Sequence, residues 1–415
     1  MRLSQKTTPS RRAFVPAALF RILLGIAAAV LVPWHSAVAA QPNPQSTPLD
    51  PDVSWAMPWE ARKKSGAYVP PRGMTAQETV AAYFGAQYEA YTSLEPIDMG
   101  AILDLELNRS HNMQTWLDML LQRRRLLQEN GLCYVDTRRY PYRIRFIEAE
   151  ELTDGRIEKW MDWAPELIEG NGPDDEVLLH FVIEGEEGVA YPPMMAVNAQ
   201  HSVRMKLDED VWRISLHYFP GSARRYMLSG ILQPVSDEEM LEELLVEFAP
   251  VDDTPPVQRP AGSVPYDGER AAEYAALYTE TPNPAYYLIN DWIGNCANFT
   301  SQCVLYGYGG KGMDSTWYSG GGGGTPAWEN VDFFWQYVLS PGGLEGVVLE
   351  GADALQTGDI VQIRVPNSGS VNDFTHSLLV ADGDTLLLAQ NSPACFTYYS
   401  DLVNVKSRLF RPLYR

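Results

Sequence analysis

Apolar residues recur at helical spacing early in the chain. Val80, Ala81, Tyr83 and Phe84 come first, and Met113, Trp116, Leu117 and Leu120 then follow the i, i+3, i+4, i+7 pattern of one buried helix face. The second helix is expected to stop at Asn130-Gly131, a common C-terminal pair. The period then changes to two. Val177–Ile183 reads as a strand, and Val203, Met205 and Leu207 alternate with Arg204 and Lys206. After the turn Asp208-Glu209-Asp210, residues Trp212, Ile214, Leu216 and Tyr218 alternate with polar neighbours, which predicts a hairpin with one wet and one dry face. A further helix over Ser236–Phe248 opens on the capping-box pattern Ser236-x-x-Glu239. Helices followed by an antiparallel sheet predict an α+β domain.

Proline and glycine divide the chain. Residues 41–75 and 249–265 are rich in proline and read as linkers, so that an α+β region over 76–248 precedes a second domain over 266–415. Gly320–Gly324 is expected to be a flexible loop, because glycine loses the most entropy on ordering. The acidic run Asp237–Glu243 reads as a solvated helix face. His180, His201 and His217 fall on or beside the first region's strands and read as structural, since no nucleophile accompanies them.

Composition narrows the function classes. The 415 residues are 45% hydrophobic and 20% charged, with 11 Trp and 22 Tyr, which supports packed cores rather than disorder. The formal net charge is −21, and it becomes −26 without the five cationic side chains of residues 1–40. Such a chain repels phosphate backbones, so nucleic acid is not an expected partner. Residues 1–40 themselves read as a removable export signal. Arg11-Arg12 precede the apolar stretch Ile22–Val32, and Ala37, Ala39 and Ala40 offer a cleavage site. Ser10-Arg11-Arg12-Ala13-Phe14 also resembles a twin-arginine signal, and no later segment is apolar enough to span a membrane. A secreted or cell-envelope protein is expected, with a mature chain that acts as a monomer. The four cysteines, Cys133, Cys296, Cys303 and Cys395, lack metal-site spacing, so neither a metal nor another cofactor is expected. An oxidising compartment would permit a Cys303–Cys395 disulfide.

The candidate chemistry lies in the second domain. Gly294-Asn295 precedes a helical run in which Phe299, Cys303 and Tyr306 share a side, and asparagine is a favoured N-cap residue. Cys296 then falls in the first helical turn, where unpaired amides and the helix dipole favour a thiolate. Cys303, two turns on, receives none of that field and is expected to pack as a small apolar residue. His376 is the only histidine of the second domain and opens a strand, and the turn Asp382-Gly383-Asp384 leads to a neighbouring strand that ends at Asn391. Nucleophile on a helix, base on a strand and orienting residue on the next strand is the order of papain-like catalysis. Cys296, His376 and Asn391 are therefore the candidate catalytic set, with Asn295 and Asp291 as candidate oxyanion or supporting groups. Trp317 and Trp328 are candidates to border the cleft or to fill the core.

Residues 266–415 resemble the putative amidase domain family, bacterial relatives of the CHAP and NlpC-type cysteine peptidases. The resemblance rests on Tyr266–Ala275, on Asn283-Pro284-Ala285-Tyr286, and above all on Cys296-Ala297-Asn298-Phe299-Thr300-Ser301-Gln302, similar to the family's Cys-x-Asn-Phe-x-Ser-Gln. Trp328-Glu329-Asn330-Val331, Gly358–Gln362 and His376-Ser377 continue it in order. Asn295 stands where the family usually has Asp, and Asn391 where it often has His. The Asn298-Phe299-Thr300 sequon falls inside the signature helix and is incidental. The resemblance implies a papain-like fold and a cysteine amidase or peptidase acting on peptide or peptidoglycan-type amides. Two other functions share these residues: a catalytically silent binding module, and an acyltransferase working through the same thioester. The first region is similar to the cone-shaped, cystatin-like modules found ahead of cell-envelope hydrolases, and is expected to position substrate or partner.

Overall fold

The computed structural model describes residues 68, 72–106, 108–153, 176–219, 232–250, 258–289, 294–320, 322–364 and 374–415. The expected export signal and most of the first linker lie outside them. Thr75 starts helix α1 (Ala76–Ser93) by accepting from the Glu78 amide at 3.2 Å, while the Glu78 carboxylate accepts from the Thr75 amide at 2.8 Å. This reciprocal pair satisfies two helix-start donors. Fifteen of the eighteen residues of α1 are buried, which marks it as a central helix rather than an amphipathic surface one. Helix α2 (Asn108–Glu129) ends as its sequence predicts, with Gly131 in the left-handed region at φ 63°.

Strands β1 (Tyr142–Ile147), β2 (Glu176–Gly185), β3 (Gln200–Asp208) and β4 (Val211–Tyr218) form an antiparallel sheet in sequence order. The hairpin turns at Glu209 and Asp210, both in the left-handed region (φ 47° and 64°), the geometry a two-residue hairpin needs. Phe181, Ile183, Val203, Met205 and Ile214 form the dry face and share a core with α1, where Phe84 meets Phe181 edge-on at 5.6 Å. Ser236 caps helix α3 (Asp237–Glu247) by accepting from the Glu239 amide at 3.1 Å.

The second region begins with helix α4 (Gly268–Tyr278) and helix α5 (Cys296–Gly307). Ser319–Gly320 (β5) and Gly323–Gly324 (β6) then pair as a small ribbon, so Gly320, Gly323 and Gly324, expected to lie in a flexible loop, are held by ladder contacts and by Gly324 N–H on the Glu329 carboxylate. Short α6 (Pro326–Glu329) and α7 (Val331–Leu339) follow. The rest is a six-stranded antiparallel sheet made of β7 (Val347–Leu349), β8 (Ile360–Arg364), β9 (His376–Asp382), β10 (Leu387–Gln390), β11 (Cys395–Tyr398) and β12 (Lys406–Arg411), in the order β11-β10-β9-β8-β12-β7. The whole is α+β with antiparallel sheets, as the patterning predicts.

Strand alternation gives this sheet two dry faces. Ile360, Leu379, Ala389 and Phe410 pack with Ala271, Tyr274, Phe299, Cys303 and Val304 of α4 and α5. Val361, Leu378, Val380, Leu388 and Leu409 instead join the core of α1 and the four-stranded sheet. One apolar core therefore runs through both regions on either side of the proline-rich segment. A buried polar joint reinforces it. Arg124 and Asp401 pair with both side chains fully buried, and the Arg124 guanidinium lies 3.6 Å from the Tyr91 ring centre. Tyr91 Oη donates to Asp401 at 2.9 Å, and Tyr398 Oη donates to Asp136 at 2.9 Å. Burial alone would raise the Asp136 carboxyl, but hydrogen bonds from Arg138, Tyr398 and Tyr140 win and bring it down to about 2. None of the four cysteines is in a disulfide, so the Cys303–Cys395 bridge is not formed; Cys303 is sealed in the α4–α5 core while Cys395 sits half-buried on β11.

Candidate functional site

Cys296 is the first residue of α5 and is 3% exposed. The approach to it needs Gly294, which sits at φ 79° and where a side chain's Cβ would meet the Ser392 side chain at 3.2 Å. Asn295 occupies the N-cap position, yet its side chain does not cap. Its Oδ1 accepts from the Ile289 amide at 3.1 Å and from Asn298 Nδ2 at 2.7 Å, and its Nδ2 donates to Asn391 Oδ1 at 3.1 Å. Its own amide donates to Ser392 Oγ at 2.8 Å. Asn391 passes the tie onward by donating from Nδ2 to the Thr279 carbonyl at 3.0 Å. The helix start is thus bound to the residues just after β10 by one side-chain pair and one backbone amide.

Each position of the Cys-x-Asn-Phe-x-Ser-Gln segment has a physical task. Asn298 Oδ1 accepts from Trp328 Nε1 at 2.7 Å and from Gln302 Nε2 at 3.0 Å. Gln302 Oε1 accepts from Tyr274 Oη at 2.8 Å, which crosslinks α5 to α4. Ser301 Oγ donates to the Trp328 carbonyl at 3.0 Å and accepts from Trp317 Nε1 at 3.1 Å. Phe299 fills the core behind them. Every one of these polar groups is buried, where an unmade hydrogen bond costs about 1–3 kcal/mol.

His376 opens β9 and pairs with Ile363 of β8. Its Nε2 lies 2.6 Å from Gln390 Oε1, and Gln390 Nε2 donates to Cys395 Sγ at 3.1 Å. Asn391, expected to orient His376, is engaged with Asn295 and Thr279 instead. Gln390 is the last residue of β10 and pairs with Cys395 of β11, whereas Asn391 follows the end of the strand. Phe374, two residues before His376, packs on Cys296, Ala297 and Val331, which brings the entry to β9 against the helix start.

Residues 265–403 match the model of the family described as "Putative amidase domain". This region is an amidase-family domain. No curated protein and no solved structure matches the chain.

The amidase domain's central sheet extends past the matched residues, because β12 lies between β8 and β7. Arg408 of β12 braces the wall beside Cys296. Its guanidinium lies 4.1 Å from the Phe374 ring centre and 4.5 Å from that of Trp335, and it pairs with Asp332 at 2.8 Å. Nothing in the local sequence marks Arg408, whereas Gln390 sits in the polar run Gln390-Asn391-Ser392 and only register separates the three. Trp317 and Trp328 are fully buried, 4.8 Å apart, and belong to the core rather than to a cleft. Asp291 lies outside the described residues. A crevice of about 30 Å³ opens beside Gln390 and Cys395, and its far wall is Tyr191, Pro192 and Pro193 of the first region. A larger cavity of about 840 Å³ lies at the opposite end of α5, by Gly307 and Asp267, away from Cys296. Among the described residues no group of histidine, cysteine and carboxylate side chains could hold a metal ion.

Three of the first region's histidines, His180, His201 and His217, are buried among its strands. His180 Nδ1 lies 2.8 Å from Ser202 Oγ, and burial lowers its pKa. His201 Nδ1 and His217 Nε2 lie 3.0 Å apart, His201 Nε2 faces the Ala196 carbonyl at 3.3 Å, and Tyr83 Oη lies 3.4 Å from His217 Nδ1.

Proposed function

We propose that the chain is an exported cysteine amide hydrolase with a papain-like catalytic domain, in which Cys296 is the nucleophile and His376 its base. The observation that carries this reading is the position of Cys296 at the head of a twelve-residue helix whose start is tied to the strand beside His376. First-turn amides have no partner inside their own helix, and they and the dipole favour a thiolate there. The family match supports amide hydrolysis as the reaction class.

His376 takes the thiol proton, and the sulfur attacks the amide carbonyl. The oxyanion is met by the Cys296 backbone N–H. The C–N bond breaks as His376 gives its proton to the leaving amine. Water then adds to the thioester, its proton passing through His376 to the departing sulfur. Peptide or cell-wall stem-peptide amides are the substrate class that fits an acidic, exported chain, since the formal charge of −21 disfavours polyanions.

Iodoacetamide labelling against pH, resolved by peptide mass so that Cys133 and Cys395 are counted separately, tests the reading. Fast labelling of Cys296 below pH 7 that is slowed in His376→Ala supports an activated thiolate. Labelling that rises only near the ordinary thiol range of about 8.5, indifferent to His376, overturns it in favour of a silent binding module.

A further inference from the structure

We propose that Gln390 is the positioning residue of His376, in the place that the motif order assigns to Asn391; this rests on the hydrolase reading above. Gln390 is buried, and its Oε1 lies 2.6 Å from His376 Nε2, a short contact of hydrogen-bonding length. An amide oxygen only accepts, so the ring nitrogen facing it carries the proton. Nδ1 is then the basic nitrogen of the neutral ring, the one able to take the thiol proton. The amide is itself fixed, because its nitrogen donates to Cys395 Sγ at 3.1 Å from the directly opposite position on β11.

Asn391 is unsuited to the task in this fold. Both of its side-chain polar atoms are engaged, Oδ1 by Asn295 and Nδ2 by the Thr279 carbonyl. The two neighbours divide the labour: Asn391 anchors the nucleophile's helix and Gln390 sets the tautomer of the base. The first region contributes as well. Tyr191 and Pro193 wall the crevice in which Gln390 and Cys395 sit, which limits competing water around the amide.

The test is long-range 15N–1H NMR of the imidazoles in the full chain, with His376 assigned by its loss in His376→Ala, together with the labelling profile of Cys296. Above the ring's titration, wild type is expected to show His376 as the single Nε2–H tautomer. Gln390→Ala should mix the tautomers and slow Cys296 labelling below pH 7 by at least about tenfold. Gln390→Glu keeps an acceptor and adds a negative charge, so it should preserve the Nε2–H tautomer and move the ring's titration to higher pH. It also decides the matter if the alanine variant fails to fold. A wild-type ring carrying its proton on Nδ1, an unchanged tautomer in Gln390→Ala, or an unmoved titration in Gln390→Glu overturns the proposal. A tautomer that responds to Gln390 in a chain whose Cys296 labels as an ordinary thiol keeps the positioning role and rejects the hydrolase reading alone.

Discussion

In the four-stranded sheet His201 and His217 are wholly enclosed and bonded to each other, between the Tyr83 hydroxyl and the Ala196 carbonyl, with Phe181 stacked on His201 at 5.1 Å. In the six-stranded sheet His376 stands half-buried at a strand end, with an amide on one nitrogen. Burial lowers the His201 pKa to about 4, and burial together with the neighbouring His201 takes His217 well below the ordinary range. The same side chain is thus sealed in the packing of one sheet and part-exposed beside an amide in the other, the setting that the proposed base role needs. What separates the two roles is exposure and the kind of partner, not the residue type. Cys296 and Cys303, both buried in one helix, differ in position instead: the first lies at its head, and burial pushes the thiol of the second, two turns on, well above the ordinary range.

The largest expected effect bears on the reactive side of that contrast. Cys296→Ala should reduce amide turnover by about a thousandfold or more, whereas the pair His201→Phe and His217→Leu should leave turnover at neutral pH close to wild type. Comparable losses from both, measured on one amide substrate, would erase the distinction between the two sheets.

Next in size is the joint between the regions. Arg124→Met leaves Asp401 buried without its cation, and should cost about 3–5 kcal/mol in urea unfolding. Because one core serves both sheets, a single transition is expected. Two separate transitions would mean that the sheets are independent units and that His376 owes nothing to the first region.

The buried imidazoles predict a pH dependence smaller than that. Their folded pKa values lie below the unfolded value of about 6.5, so the unfolded chain binds more protons between that pH and about 4. Stability from His201 is fully present above about 6.5 and is lost as the pH falls towards 4, up to roughly 3 kcal/mol. Thermal melts across this window should flatten in the His201→Phe, His217→Leu chain; an unchanged slope would show that other groups carry the effect.

The smallest effect sharpens the picture of the signature helix. Trp328→Phe removes one of the donors to Asn298 Oδ1 while Gln302 still donates, so about 1 kcal/mol of stability should be lost. A much larger loss would mark Trp328 as part of the site's support rather than its core.

Much of this was legible in the chain. Periodicity determined the two long early helices, the hairpin turning at Glu209-Asp210, and the strand opened by His376, because each depends on residues only a few positions apart. The place of Cys296 at a helix head was legible for the same reason. Tertiary structure decided the rest. Asn295 looks like a capping residue locally, but Ile289 before it, Asn298 of its own helix and the distant Asn391 claim its side chain. Gln390, Asn391 and Ser392 are equivalent as a polar run, and only the register and pleat of β10 send one to His376 and the next to Asn295. Arg408 and Asp332, 76 residues apart, meet because β12 enters the sheet beside β8. The prolines of 249–265 read as a linker, and only the tertiary structure brings apolar residues from both sides of it into one core. A local pattern sets which face of an element is dry; what that face lies against is set by contacts that no short stretch of sequence contains.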